Sequence, residues 1–213
     1  MRALLIGGTG TISSAVSRLL VETGWETTLL NRGLRRDRVP EGARLLVGDM
    51  ADESAVRGLL EGRCFDVVVQ FIAYLPDQVE RDARLFSGRC GQYVFISSAS
   101  AYQKPPASPF ITEGTPLANP FWAYSRNKIA CEDVLLRHFR EDGFPVTLVR
   151  PSHTYGDRGV PLGVHGREGT WQELVRIREG RPVLVHGDGT SLWTLTHNTD
   201  FARGLAGLLG NPR

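Results

Sequence analysis

A glycine-rich turn close to the start of the chain limits the possible folds more than any other feature. The turn reads GGTGTIS over residues 7–13 and directly follows an apolar run at residues 3–6. Apolar residues then recur with the spacing of a stripe on one side of a helix, at Ile12, Val16, Leu19 and Leu20. Glycines between a strand and a helix allow a sharp turn and let backbone N–H groups approach a pyrophosphate closely. The pattern predicts a strand, a phosphate-binding turn and a helix; a glycine turn without a ligand is the alternative.

Short apolar runs and helical patterns alternate over the first 150 residues. Runs rich in β-branched or aromatic residues predict strands at residues 3–6, 27–30, 44–47, 66–69, 92–96 and 146–149. Helical spacing of apolar residues predicts helices between most of them, at residues 53–60, 79–86 and 123–139. Strands that lack polar alternation and are separated by helices form a parallel sheet covered on both faces. We therefore predict an α/β fold with a Rossmann-like, doubly wound parallel sheet.

The pattern changes after Arg150. A glycine-rich stretch leads to a predicted helix at residues 171–178, a predicted strand at residues 183–186 and a closing helix. Asn198 and Thr199 are the candidate N-cap residues of the closing helix, and its apolar stripe consists of Phe201, Leu205, Leu208 and Leu209. These elements suffice for only part of a second lobe. We therefore predict a dinucleotide-binding domain at residues 1–150 and a truncated part of a substrate-binding region at residues 151–213.

Composition excludes several classes of protein. Of the 213 residues, 41% are hydrophobic, and no apolar run approaches the roughly 20 residues of a membrane-spanning helix. The formal net charge is +2 and the basic residues form no long stripe, so a dedicated nucleic-acid-binding protein is not indicated. The N-terminal apolar run is too short for a signal peptide. We expect a globular cytoplasmic protein that does not associate with a membrane.

Asn31 and Arg32 close the second predicted strand. In a dinucleotide fold, a carboxylate at this place holds the ribose hydroxyls and repels a 2′-phosphate. Neutral Asn31 removes that repulsion and Arg32 supplies a cation, which favours NADP; Asn31 can also hydrogen-bond a plain ribose, so NAD stays open. Residues 35–38 are expected to form a solvated basic loop. Asp49, after the third strand, is either an adenine contact or a turn residue.

A tyrosine and a lysine share one face of the helix predicted at residues 123–139. Tyr124 and Lys128 have i, i+4 spacing, which puts the ammonium beside the phenol. A neighbouring cation, together with the positive nicotinamide of an oxidised cofactor, favours the phenolate and lowers the tyrosine pKa from about 10 toward neutral pH. The alternative is a surface pair, but a chance match is rare because Lys104 is the chain's only other lysine. Ser98 follows a predicted strand at the edge where parallel sheets bind ligands, so its hydroxyl could share the substrate oxygen with Tyr124.

Five motifs follow one another along nearly the whole chain. They are GGTGTIS at residues 7–13, SSASAY at residues 97–102, YSRNK at residues 124–128, LVRPSHTYG at residues 148–156 and GDGT at residues 187–190. Together they resemble the extended short-chain dehydrogenase/reductase superfamily and, within it, the NAD-dependent epimerase/dehydratase family. The resemblance implies an NAD(P)-dependent epimerase or reductase that acts on a hydroxyl or ketone carbon of a nucleotide sugar or related substrate.

The resemblance also implies a role for individual positions. Ser98, Tyr124 and Lys128 match the family's catalytic Ser/Thr, its acid/base and the residue that holds the nicotinamide ribose. With Asn31, Arg32 and Lys128, the predicted cofactor-binding residues are Gly7, Gly10, Thr11, Ile12, Asp49, Phe71, Ile72 and Ala73. Ala99 and Ser100 stand where sugar-nucleotide dehydratases of the family carry acidic residues, so dehydration is not expected.

The histidines predict no metal site. The spacing of His153, His165, His186 and His197 matches none of the close pairs typical of zinc ligands. The resemblance places His153 near the substrate pocket, and we expect it to contribute to substrate choice.

The sequence leaves two questions open. The alternative function is a binding module that senses the cofactor or associates with RNA without turnover, although such relatives often lack the tyrosine or the lysine. The chain is also shorter than is usual for the family, so it is either naturally short or part of a longer protein. A missing lobe leaves apolar surface that a second copy in a homodimer could cover.

Overall fold

A sheet of six parallel strands is the central feature of the computed structural model, which describes residues 1–164 and 169–211. In chain order the strands are β1 (Arg2–Ile6), β2 (Glu26–Asn31), β3 (Arg44–Val47), β4 (Phe65–Gln70), β5 (Cys90–Ile96) and β6 (Val146–Val149). Their order across the sheet is β3-β2-β1-β4-β5-β6. Ligands of such sheets bind outside the carboxyl ends of the strands where the order reverses, which here is between β1 and β4. The predicted doubly wound sheet is confirmed.

Helices cover both faces of the sheet. The connecting helices are α1 (Thr11–Glu22), α2 (Glu53–Leu59), α3 (Pro76–Phe86) and α4 (Ala123–Asp142). Successive side chains of a strand point to opposite faces. Leu4 and Ile6 of β1 therefore pack in a core with side chains of α2, α3 and α4, whereas Ala3 and Leu5 pack in a second core with α1. Burial of both faces explains why the strands have continuous apolar runs.

The residues after β6 add a smaller set of elements. These are β7 (His153–Tyr155), α5 (Trp171–Arg178), β8 (Leu195–His197) and α6 (Asn198–Ala206). β7 and β8 pair in parallel as a separate sheet. α6 packs beside α1, with Phe201 and Leu205 buried in the same core. The division of the chain at residue 150 stays a prediction. None of the helices within the described ranges is both long and apolar enough to cross a membrane.

The strand predicted at residues 183–186 is wrong. Leu184 and Val185 are 78% and 65% exposed, and no strand among the described residues pairs with this segment. A run of β-forming residues becomes a strand only where a neighbour takes up its backbone hydrogen bonds. The segment therefore lies as an irregular connection between α5 and β8.

The predicted N-cap of α6 is also wrong. The cap is His197, whose ring nitrogen accepts a hydrogen bond from the Thr199 N–H at 3.4 Å. The side chain of Asn198 instead donates to the Thr11 carbonyl at 3.0 Å. Asn198 is thus committed to a contact with the start of α1, which a sequence pattern within α6 cannot reveal.

Candidate active site

A cleft of about 710 Å³ opens where β1, β4 and β5 end. All predicted site residues except one line it: Gly7, Gly10, Thr11, Ile12, Asn31, Arg32, Asp49, Phe71, Ile72, Ser98, Tyr124 and Lys128. The exception, Ala73, is buried beneath the cleft and is 1% exposed. The residues meet because the turns that follow parallel strands lie along one edge of the sheet. The fold thus brings the predicted catalytic and cofactor-binding residues together.

The glycine turn forms one wall of the cleft and has no room for larger side chains. Gly7 and Gly8 have φ angles of 109° and 78°, which glycine adopts without strain. A Cβ on Gly8 would lie 2.5 Å from Cγ of Leu29. The Ser13 hydroxyl accepts a hydrogen bond from the Gly10 N–H at 2.8 Å. The first turn of α1 has no acidic side chain, and helix N-termini present N–H groups without partners in the helix. The turn therefore fits a pyrophosphate.

The end of β2 differs from a simple ribose-binding arrangement. The Asn31 amide donates to the Gly7 carbonyl at 2.7 Å, and its oxygen accepts from the Gly33 N–H at 2.8 Å. The NH₂ group of Asn31 thus ties the end of β2 to the glycine turn, while its oxygen holds the turn that follows β2. Arg32 is exposed at the same edge of the cleft. Asp49 lines the cleft, and its carboxylate accepts a hydrogen bond from the Ala51 N–H at 3.0 Å. It therefore makes the contact of a turn residue, which is one of the two roles that the sequence left open.

Lys128 is the most buried charged group that lines the cleft, with 1% exposure. Its Nζ donates to the carbonyl of Ala73 at 2.7 Å and to that of Ile96 at 2.8 Å. The rings of Phe95 and Tyr74 lie 4.6 and 4.8 Å from the ammonium. Burial lowers the pKa of Lys128 to about 8, since removal from water disfavours the ammonium. The ammonium is therefore fixed between β4 and β5, with two of its three N–H groups engaged.

Tyr124 lies beside Lys128, as the helical spacing predicts. The Lys128 ammonium is 5.8 Å from the centre of the phenol ring, which also packs against Trp122 and Tyr74. Burial raises the pKa of Tyr124, and a hydrogen bond with Ser98 opposes that rise. Desolvation is thus the largest influence on the phenol in this structure. The lowering of its pKa by Lys128 and a cofactor stays a prediction.

A chain of hydroxyl groups holds Ser98. Ser98 precedes a short 3₁₀ turn at Ala99–Ala101, and its Oγ lies 2.9 Å from Oγ of Ser100. Ser100 in turn accepts a hydrogen bond from Ser125 of α4 at 2.8 Å, while Asn119 donates to its carbonyl. Sequence reasoning missed Ser125 and Asn119, although Ser125 lies within the YSRNK motif. These contacts join the end of β5 to the helix that carries Tyr124.

Ser97 provides an independent sign that the cleft takes a polar ligand. Its side chain is 3% exposed and lines the cleft, yet its Oγ has no hydrogen-bond partner in the described part of the chain. A buried hydroxyl without a partner is unfavourable. A polar group of a bound dinucleotide fits this position.

A buried ion pair connects the elements that surround the cleft. Glu132 of α4 is fully buried and accepts three hydrogen bonds from Arg150, which follows β6: two from Nε, at 3.0 and 3.1 Å, and one from Nη2, at 2.6 Å. Arg150 also donates to the Tyr102 hydroxyl at 3.2 Å. The pair thus links α4, the end of β6 and the turn after β5. Sequence reasoning did not find it.

No histidine in the described part of the chain lines the first cleft. His153 lines a second cleft of about 550 Å³, which shares Gly10 and Thr11 with the first, and its ring packs edge-on against Trp193. Within residues 1–164 and 169–211, no cluster of three or more metal-binding side chains occurs. His165 lies outside the described residues.

A model of the NAD dependent epimerase/dehydratase family matches residues 3–213 of the chain. Among curated proteins, the chain is 26% identical over 213 residues to 2'-dehydrokanamycin reductase of Streptomyces kanamyceticus, covering 100% of the chain and 59% of that protein. It is 30% identical over 210 residues to UDP-glucose 4-epimerase of Streptomyces lividans, covering 87% and 63%. It is also 28% identical over 225 residues to chloroplast stem-loop binding protein of 41 kDa b of Arabidopsis thaliana, covering 100% and 56%. The chain thus spans less than two thirds of the length of these relatives.

A solved structure shares the fold. The crystal structure of dTDP-glucose 4,6-dehydratase from Bacillus anthracis in complex with NAD superimposes with a TM-score of 0.82. The match covers 100% of this chain and 73% of the other, at 20% sequence identity. This likeness establishes the common architecture.

Proposed function

The chain belongs to the NAD dependent epimerase/dehydratase family, and from that premise we propose that it is an NAD(P)-dependent oxidoreductase or epimerase. Its substrate is a nucleotide sugar or a related compound with a hydroxyl or ketone carbon. The observation that carries the proposal is that Ser98, Tyr124 and Lys128 line one cleft with the glycine turn.

The three side chains divide the chemistry among them. A nicotinamide cofactor, when bound, supplies the hydride acceptor or donor. Tyr124 transfers the proton of the substrate hydroxyl, and Ser98 stabilises the charge on the same oxygen. Lys128 holds the ribose with its remaining N–H and favours the phenolate by its charge. This charge effect is needed because burial raises the pKa of Tyr124.

The cofactor is held by the turn and its surroundings. The N–H groups at the start of α1 would bind the pyrophosphate, with Gly7, Gly10, Thr11 and Ile12 shaping the turn. Asp49 would contact the adenine, and Phe71, Ile72 and Ala73 would form the segment that passes under the cofactor. Arg32 favours NADP because it is exposed at the cleft edge beside neutral Asn31.

Epimerisation and reduction are distinguished by cofactor consumption. In one assay, purified protein is incubated with UDP-glucose or UDP-galactose in the presence of NAD or NADP. In a second assay, it is incubated with 4-keto sugar nucleotides in the presence of the reduced cofactors. Interconversion of the two UDP-sugars without net change of nicotinamide absorbance identifies an epimerase, whereas stoichiometric loss of the reduced cofactor identifies a reductase. No turnover with any of them contradicts the proposed nucleotide-sugar activity. Elimination of water is not expected, because Ala99 and Ser100 supply no acidic group.

A second candidate function is a binding module without turnover. The resemblance over the whole chain to a protein named as stem-loop binding favours it. Tight binding of an RNA hairpin at physiological salt, combined with no turnover of any nucleotide sugar, would support this reading instead. The complete triad of Ser98, Tyr124 and Lys128 favours the enzyme.

We further propose that the protein is cytoplasmic and forms a homodimer. Cell fractionation tests the location, and sedimentation tests the oligomeric state.

A further inference from the structure

Residues 71–73, here called the floor segment, connect the glycine turn to Lys128. Phe71 and Ile72 line the cleft. Cγ2 of Ile72 is 3.1 Å from the place where a Cβ of Gly7 would stand, so the segment packs directly against the turn. At its other end, the Ala73 carbonyl accepts the hydrogen bond of the Lys128 ammonium at 2.7 Å. A shift of the floor segment would therefore move both the cofactor seat and Lys128.

One buried side chain fixes the floor segment from below. Gln70, the last residue of β4, is 0% exposed, and its Oε1 accepts the Ile72 N–H at 2.8 Å. Its Nε2 donates to Oδ2 of Asp82 on α3 at 2.5 Å. Asp82 is also 0% exposed and is not among the residues that line the cleft.

The hydrogen bonds of Gln70 with Ile72 and Asp82 allow its amide only one orientation. A backbone N–H only donates, so the oxygen of Gln70 must face Ile72 and its NH₂ group then faces the Asp82 carboxyl, although burial raises the pKa of Asp82. Asp82 receives two further hydrogen bonds, from the Tyr93 hydroxyl at 2.7 Å and from Arg81 at 3.2 Å. Burying a carboxylate is costly unless its oxygens are paired. Two well-packed apolar residues would fill the same space at lower cost, so stability alone does not account for the pair.

We propose that Gln70, held in orientation by Asp82, is a positioning residue that sets the floor segment and, through the Ala73 carbonyl, the place of the Lys128 ammonium. The inference rests on the proposed function only in taking the cleft to be the cofactor site. Its central consequence for Lys128 can be measured without a cofactor.

Two variants separate positioning from general stability. Gln70→Leu and Tyr93→Phe each remove one hydrogen bond to the same oxygen of Asp82. Only Gln70→Leu also removes the acceptor of the Ile72 N–H. Both variants are expected to lower the melting temperature, but only Gln70→Leu should affect Lys128.

The direct readout is the titration of lysine Cε by NMR in protein labelled with ¹³C-lysine. The chain has only two lysines, Lys104 and Lys128, so the spectrum has two signals to assign. We expect Gln70→Leu to lower the pKa of Lys128 below its value in the unaltered protein, because the ammonium loses a well-placed acceptor. Lys104 should titrate as before, and Tyr93→Phe should leave both lysines unchanged. An unchanged or raised pKa of Lys128 in Gln70→Leu, or equal changes in the two variants, would overturn the inference.

A third variant tests the orientation of the amide. In Gln70→Glu the Ile72 N–H keeps an acceptor, but two carboxyl groups now meet and must share a proton. NAD affinity relative to the unaltered protein, measured by calorimetry, should be near normal at about pH 5.5 and fall at least tenfold by about pH 7.5, as both groups ionise.

The other titratable groups that face Asp82 are Arg81, Tyr93 and Cys131. Burial raises the pKa of Tyr93 well above its usual range and that of Cys131 to about 11.

The two proposals fail in different ways. If the NAD affinity of Gln70→Glu, relative to that of the unaltered protein, does not change with pH, the inference is contradicted. If the unaltered protein binds neither NAD nor NADP, the proposed function fails, while the lysine titration still decides the role of Gln70.

Discussion

At the scale of single residues, the ammonium of Lys128 is the group on which the site depends most. It is buried and held by the carbonyls of Ala73 and Ile96, and burial lowers its pKa to about 8. In the proposed function the charged form binds the ribose and favours the phenolate, so its loss above about pH 8 should weaken cofactor binding.

Lys128→Met is therefore predicted to weaken cofactor binding at neutral pH and to remove this pH dependence. In the unaltered protein the dissociation constant should rise as the pH increases through about 8, while in Lys128→Met it should be nearly constant there. Calorimetric titration at several pH values measures both. A dissociation constant of the unaltered protein that does not change between about pH 7 and 9.5 would contradict the role given to the ammonium.

The proposed preference for NADP rests on Arg32. Arg32→Ala is predicted to weaken NADP binding by about 1 to 3 kcal/mol, the cost of a lost charge-assisted contact to phosphate, and to leave NAD binding nearly unchanged. Arg36→Ala serves as the matched control, because Arg36 is exposed at the start of a 3₁₀ turn (Arg36–Arg38) and does not line the cleft. Equal losses for NADP and NAD in Arg32→Ala would show that this side chain does not recognise the 2′-phosphate.

The residue types in the site were largely predictable from sequence, whereas their hydrogen-bond partners were not. Tyr124 and Lys128 could be paired because i, i+4 spacing on a helix fixes their proximity. The sequence left open whether Asn31 hydrogen-bonds a ribose, and in the structure its amide already has partners in the Gly7 carbonyl and the Gly33 N–H. The partner of the Asn31 NH₂ group, Gly7, and that of the Gln70 NH₂ group, Asp82, come from other segments of the chain, and no local pattern encodes such contacts.

At the scale of elements, the buried pair of Glu132 and Arg150 joins α4 to the end of β6. Arg150→Met should destabilise the protein by about 3 to 5 kcal/mol, because it leaves the Glu132 carboxylate buried without a cation. The double variant Glu132→Leu/Arg150→Met should recover most of that loss, since both charges are then gone. Urea denaturation measures the free energy of unfolding. A loss below about 1 kcal/mol in Arg150→Met would show that the pair contributes little.

The strands of the main sheet and the helices that connect them were predicted well. Each is bounded by turn residues, the strands have continuous apolar runs, and the helices have an apolar stripe on one side. β3 and β6 have the predicted ends, and α4 extends beyond its prediction to Asp142. The errors lie after β6, where His197 rather than Asn198 or Thr199 caps α6 and residues 183–186 remain irregular. β7 and β8 were not predicted, since each has only three residues and forms only by pairing with the other.

At the scale of the whole molecule, two hydrophobic cores on opposite faces of the sheet hold the strand ends in place. The reversal of strand order between β1 and β4 then gives a cleft whose position follows from topology alone. The chemistry in the cleft depends on a few side chains that this scaffold presents. The likeness to proteins named as a reductase, an epimerase and a stem-loop binding protein shows that the scaffold does not decide between activities.

The measurement that tests the central claim most directly compares cofactor binding and turnover in Tyr124→Phe. The phenyl ring keeps the packing against Trp122 and Tyr74, so cofactor affinity should stay within about threefold of the unaltered protein. Turnover of the substrate identified for the unaltered protein should fall at least about 10³-fold, because the proton-transferring group is gone. Near-normal turnover in Tyr124→Phe would contradict the account, since another group would then have to move the proton.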